Sequence, residues 1–109
     1  MKKITILLAL LAGTSLSADI ENGKLVYAAN CATCHTVNGG SALGADFNIV
    51  SYTRHKKDIE GYAKDPYSYY KKFGYSANAM PTLPLEDYEF RDVAEYIDSL
   101  QPFKKWMKK

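Results

Sequence analysis

Two cysteines and a histidine fall within five residues, Cys31-Ala32-Thr33-Cys34-His35, and they are the densest chemistry in the chain. Two thiols in a secreted protein first suggest a disulfide, but a bridge across two residues closes a tiny loop and would staple little. Dithiol oxidoreductases use the same spacing inside a strand–helix–strand pattern, which this sequence does not show. A zinc ion takes four ligands in paired spacing, and the one other histidine, His55, stands alone twenty residues on. Covalent haem attachment, C-x-x-C-H, uses all three residues: the thiols of Cys31 and Cys34 add to the haem vinyl groups as thioethers, and His35 ligates the iron from beneath.

Such a motif must be held by the elements around it. Asp19 suits a helix N-cap, and Glu21 favours the positive end of that helix. Gly23 inside the helix costs about 1 kcal/mol relative to Ala, a cost that makes sense where a second helix comes close. Phe90, Val93, Ala94, Ile97 and Leu100 form one apolar stripe, with Glu89, Asp92, Glu95 and Asp98 largely off it; this predicts an amphipathic closing helix that ends before Pro102. Asp65, Pro66 and Gly74 are a cap, a first-turn proline and a stop, predicting a helix over Tyr67–Phe73, with a weaker helical stretch over Lys57–Lys64. No alternating strand pattern of useful length occurs, so the fold class read here is all-α.

The first 18 residues are read as a separate segment. Lys2 and Lys3 precede a nine-residue apolar run, Ile4 to Ala12, and then small neutral residues, the order of a secretory signal peptide cleaved after Ser17 or Ala18. The run is shorter than the roughly 20 apolar residues a membrane span needs, so no stable membrane insertion is expected after cleavage. The working domain is 19–109, and the expected location is the periplasm. Without Lys2 and Lys3 the 14 basic residues become 12, against 12 acidic ones. Neither that balance nor a length of 109 residues suits a nucleic-acid binder, a kinase or a two-domain dehydrogenase. Acids concentrate in Glu86–Asp98, a ring on the closing helix that could serve a basic partner, and bases in the tail Lys104–Lys109, read as a solvated terminus or a docking charge.

The chain resembles the class I monohaem cytochrome c family over Ile20 to Leu100. Gly23, Tyr27 and the C31-A32-T33-C34-H35 motif are similar to that family's opening, N78-A79-M80-P81 to its axial-methionine loop, and D92-V93-A94-E95-Y96-I97 to its closing helix. The resemblance implies a small cytochrome c fold, three to four helices and loops wrapped around one covalently bound haem c, with the closing helix packed on the first near Gly23 and Tyr27. It implies Met80 as the second axial ligand. Pro81 and Pro84 stiffen that loop by fixing φ. The competitors are His55, in a polar stretch expected to face solvent, and Met107, in the basic tail. His/Met ligation raises the reduction potential and leaves no open position, which favours electron transfer over catalysis. One departure is Ala45, which stands where family members often carry a proline whose neighbourhood supplies a carbonyl to the proximal histidine; Ala45 still has a carbonyl, so that bond can survive. Of the nine tyrosines, Tyr62, Tyr67, Tyr69, Tyr70 and Tyr75 are expected to form haem-crevice wall and amphipathic surface; the alternative, functional reading is that one or two of their hydroxyls bond a haem propionate.

The function expected is therefore a periplasmic electron carrier whose partners are redox proteins: a dehydrogenase as donor, an oxidase or peroxidase as acceptor. The alternatives are the cytochrome subunit of a periplasmic dehydrogenase, such as a sulfite dehydrogenase, a haem-based ligand sensor, and a haem-free dithiol oxidoreductase.

Overall fold

A computed structural model describes residues 18–107. Apart from Ala18, the segment read as a signal peptide lies outside the described residues, as do Lys108 and Lys109. Five α-helices follow one another: α1 (Ile20–Asn30), α2 (Phe47–Thr53), α3 (Lys56–Lys64), α4 (Pro66–Tyr69) and α5 (Asp87–Ser99), with a 3₁₀ turn at Lys105–Met107. Among the described residues there is no strand, and no helix is long and apolar enough to cross a membrane.

The crossing of α1 and α5 is the centre of the fold. Phe90, Val93, Ala94 and Ile97 are buried on α5, and Val26 is buried on α1. A Cβ at Gly23 would collide with the Asp92 carbonyl and come within 2.8 Å of Tyr96 Cβ. Only glycine permits this backbone approach, so the residue that weakens α1 as a helix is the one that lets α5 close on it. Asp19 caps α1 by accepting from Asn22 N at 3.1 Å, and Glu89 accepts from the Glu86 N–H at 2.9 Å to open α5.

Four expectations change. The helix expected over Tyr67–Phe73 is a single α-turn, Pro66–Tyr69, which passes through a further turn to the expected stop. There Gly74 adopts φ +87°, its N–H donates to Lys71 O at 3.0 Å and the Tyr75 N–H to Tyr70 O at 3.1 Å. This is a Schellman closure, which satisfies the last carbonyls once the run ends. Helix α2 was not anticipated. Its sequence, FNIVSYT, is rich in β-branched and aromatic residues that favour strands, but Asp46 caps it (Asn48 N, 2.9 Å) and burial of Phe47 overrides propensity. The acids of α5 are not a free docking ring. Asp92 is buried against α1, Glu95 pairs with Lys56 at 2.9 Å and Asp98 with Lys104 at 3.1 Å.

The tail is also not simply solvated. Lys104 is buried, its ammonium donating to Asp98 O at 2.7 Å and to both Ser51 O and Ser51 Oγ at 3.0 Å. A cation at the carbonyl end of α5 complements its dipole, and the contact fastens the tail across α2 and α5.

Candidate functional site

Helix α1 ends directly at the cysteine motif, with Cys31 as its C-cap. The N–H groups of Cys31 and Ala32 both donate to Tyr27 O, and those of Cys34 and His35 to Cys31 O at 3.1 and 2.9 Å. Cys31, Cys34 and His35 therefore sit at i, i+3 and i+4 of one continued turn, which puts three side chains on one face. The Tyr27 hydroxyl donates to His35 O at 2.8 Å, pinning the turn's exit from within the core.

The His35 ring is fixed on three sides. Phe47 stacks on it, with centroids 4.4 Å apart and planes at 18°. Gly44 lies so close that a Cβ there would approach His35 Nδ1 to 2.6 Å. His35 Nδ1 is 2.8 Å from Ala45 O. A carbonyl only accepts, so Nδ1 carries the proton and Nε2 keeps a free lone pair for a metal. The carbonyl contact survives the absence of a proline at position 45.

Asp46 braces the loop behind this ring. It accepts from Thr36 Oγ1 at 2.8 Å, Gly39 N at 2.9 Å and Asn48 N at 2.9 Å. Burial alone would raise its pKa, but these bonds, with one from Gly40 N, outweigh burial and hold the carboxyl below its ordinary range.

In front of His35 opens a crevice of about 430 Å³. Cys31, Cys34, His35 and Met80 all line it, among apolar residues including Phe47, Ile59, Leu83 and Ile97. Leu43 is 90% exposed on its lip. His55 and Met107 are both exposed and outside this lining; His55 stacks instead on Trp106, centroids 3.9 Å apart. Met80 is half-buried, its N–H donating to Asn78 Oδ1 at 3.2 Å.

The donor set fits haem. Two thiols, an imidazole with a free Nε2 and a thioether open on one apolar cleft, which suits a flat macrocycle ligated from both faces. The rival readings find less support. Burial pushes the Cys31 thiol up to about 11, whereas a dithiol catalyst needs a depressed, reactive thiolate. Among the described residues no group of three or more His, Cys, Asp or Glu side chains gathers as a zinc ion would require.

The tyrosine expectation holds in part. Tyr62 and Tyr75 line the crevice, while Tyr67 stands out in solvent. Arg54, in the polar stretch around His55 expected to face solvent, is half-buried and lines the crevice too. Its guanidinium lies 4.0 Å over Phe73 and donates to the Tyr75 hydroxyl at 3.2 Å. Phe47 and Arg54 were missed as site residues. The signal for Phe47 was Asp46, a capping residue followed by apolar residues three apart, Phe47 and Val50; for Arg54 no local signal exists, because its placement depends on Phe73 and Tyr75.

Comparison with known proteins agrees with this geometry. A protein-family model described as cytochrome c matches residues 20–101. Cytochrome c6 of Thermosynechococcus vestitus is 35% identical over 96 residues, covering 84% of this chain and 79% of that protein. Cytochrome c6 of Porphyra purpurea is 33% identical over 94 residues, covering 84% and 80%. No solved structure matches the chain significantly. Family model, relatives and crevice agree: the chain belongs to the cytochrome c family, and its cofactor is one covalently attached haem c.

Proposed function

We propose that this protein is a periplasmic one-electron carrier in which Cys31 and Cys34 hold the haem as thioethers and His35 and Met80 ligate its iron. One observation carries the assignment: the four side chains meet in a single apolar crevice from which His55 and Met107 are absent. Haem bound there supplies an iron that alternates between Fe(II) and Fe(III). His35 would bind the iron through Nε2, and Ala45 O holds its ring in register. Met80 would contribute a neutral thioether, a ligand that favours the ferrous state and raises the potential. The apolar walls keep water from the iron. With His35 and Met80 both holding the iron, no position would be left for a substrate, which favours a carrier over a ligand sensor.

The cytochrome c6 relatives support a free carrier over a dehydrogenase subunit. The Met1–Ala18 segment, read as an export signal, supports a periplasmic location for residues 19–109. Redox proteins are the partners, a dehydrogenase delivering electrons and an oxidase or peroxidase taking them, docking where the crevice opens beside Leu43.

Attachment is tested by denaturing gels and acid–acetone extraction of protein matured with haem. Colour should stay with the wild-type chain and with either single Cys→Ala variant that retains haem, and should be lost when both Cys31 and Cys34 are replaced. Haem that extracts freely from wild type contradicts the assignment.

A further inference from the structure

We propose that Asp92 is a built receptor for the amino terminus that export creates, and that the mature chain therefore begins at Asp19. The proposal rests on the export reading and chooses between the two cleavage points which that reading allows. Hydrolysis of the Ala18–Asp19 peptide bond by an export peptidase takes up one water. The carbonyl carbon of Ala18 gains hydroxyl and leaves as a carboxylate, and the Asp19 nitrogen becomes an ammonium. That nitrogen is 2.9 Å from Asp92 Oδ1.

Asp92 is 3% exposed and lies in the middle of the α1–α5 crossing. Its other oxygen accepts from Asn22 Nδ2 at 2.9 Å. A carboxylate so far from water needs a positive partner at hydrogen-bond distance. Among the described residues the side-chain cation paired with it is its neighbour Arg91, whose Nε is 3.7 Å away, beyond a hydrogen bond, and is itself buried without a hydrogen-bond partner. While residue 19 carries a peptide amide, Asp92 receives only neutral N–H donors within hydrogen-bond distance. Cleavage after Ala18 replaces one of them by a full positive charge at the same position. Cleavage after Ser17 leaves an amide there.

The location also explains why the charge is tolerated. Asp19 is the N-cap of α1, at the positive end of the helix dipole, where an ammonium is disfavoured. The acids around it are Asp92 from α5, the Asp19 carboxylate, which accepts from Asn22 N, and Glu21 in the first turn; Arg91 is the opposing base. Gly23 lets α5 come close enough for Asp92 to reach past the start of α1.

The experiment uses the full chain, exported and loaded with haem in a bacterium that matures c-type cytochromes. Intact mass gives the first residue, and acetic anhydride labelling of the α-amine is followed against pH by mass spectrometry, with the lysine amines as internal reference. The mass should correspond to a start at Asp19. The α-amine should titrate about one unit above its usual range near 7.7–8.0, so that close to pH 8 it labels about fivefold more slowly than in Asp92→Asn, approaching about tenfold near pH 6.5. Should Asp92→Asn fail to fold, the wild-type labelling midpoint decides alone. A chain starting at Asp19 with an ordinary midpoint overturns the capture and leaves export standing. A start at Ala18 also overturns the capture but keeps export. A chain retaining residues 1–18 overturns both.

Discussion

The two sides of the crevice are built differently. The proximal side, from Tyr27 to Phe47, is held by the chain itself. Tyr27 pins the His35 backbone, Ala45 and Phe47 fix its ring, and Asp46 gathers the loop behind it. The distal side, from Ser76 to Leu85, contains no helix. Its internal hydrogen bonds are Met80 N to Asn78 Oδ1 and Leu85 N to Leu83 O, and its stiffness comes from Pro81 and Pro84. The comparison teaches that the protein itself fixes His35 on several sides, whereas few contacts of the chain hold Met80 in place. Changes to the frame beneath the proximal side should therefore appear in stability, and changes at Met80 in potential and ligand binding.

The largest stability effect is expected at the crossing that supports the proximal turn. Gly23→Ala places a Cβ against the Asp92 carbonyl, and overpacking of this kind should cost about 3 kcal/mol in thermal or denaturant unfolding of the holoprotein. A near-neutral result would show that α5 can shift without loss.

Asp46→Asn comes next. It weakens a carboxylate that receives several N–H and O–H donors, a loss of about 1–2 kcal/mol near neutral pH. The folded pKa of Asp46 is depressed, so its contribution is present above the unfolded carboxyl value of about 3.9 and disappears as pH falls through the lower folded value. The stability gap between wild type and variant should narrow as pH falls below about 4 and close once pH passes the lower folded value; a gap that persists there would mean that charge is not what the loop uses.

Gly74→Ala should have the smallest effect of the three. A Cβ there meets nothing within 4 Å, so only the left-handed φ of +87° opposes it, at about 1 kcal/mol. The loss should be confined to stability, with the reduction potential unchanged.

How much of this was legible in the sequence follows the same division. The motif C31–H35, the Asp19 cap, Gly23 and the α5 stripe are local signals, with residues and spacing that carry their own physics. The rest depends on contacts distant in sequence. Phe47 is helical because it packs on His35, against its strand-favouring neighbours. Asp92 reads as a polar-face residue of α5 until Asn22 and Asp19 are brought to it from 70 and 73 residues away. Lys104 reads as part of a basic tail until Ser51 and Asp98 enclose it. The Met80 loop was legible through Met-Pro and its resemblance to a known family, because it lacks helical periodicity that would mark its position.

In the proposed carrier Met80 is the second ligand of the iron, while His55 remains stacked on Trp106. This arrangement is tested most directly by titrating the reduced proteins with carbon monoxide, comparing wild type, Met80→Ala and His55→Ala, with the reduction potential read on the same samples. Wild type and His55→Ala should resist the ligand. Met80→Ala should bind it readily, at a potential lower by on the order of 0.1 V or more, within the roughly 0.8 V that axial ligands span. Ready binding by His55→Ala but not by Met80→Ala, or by wild type itself, would contradict the account.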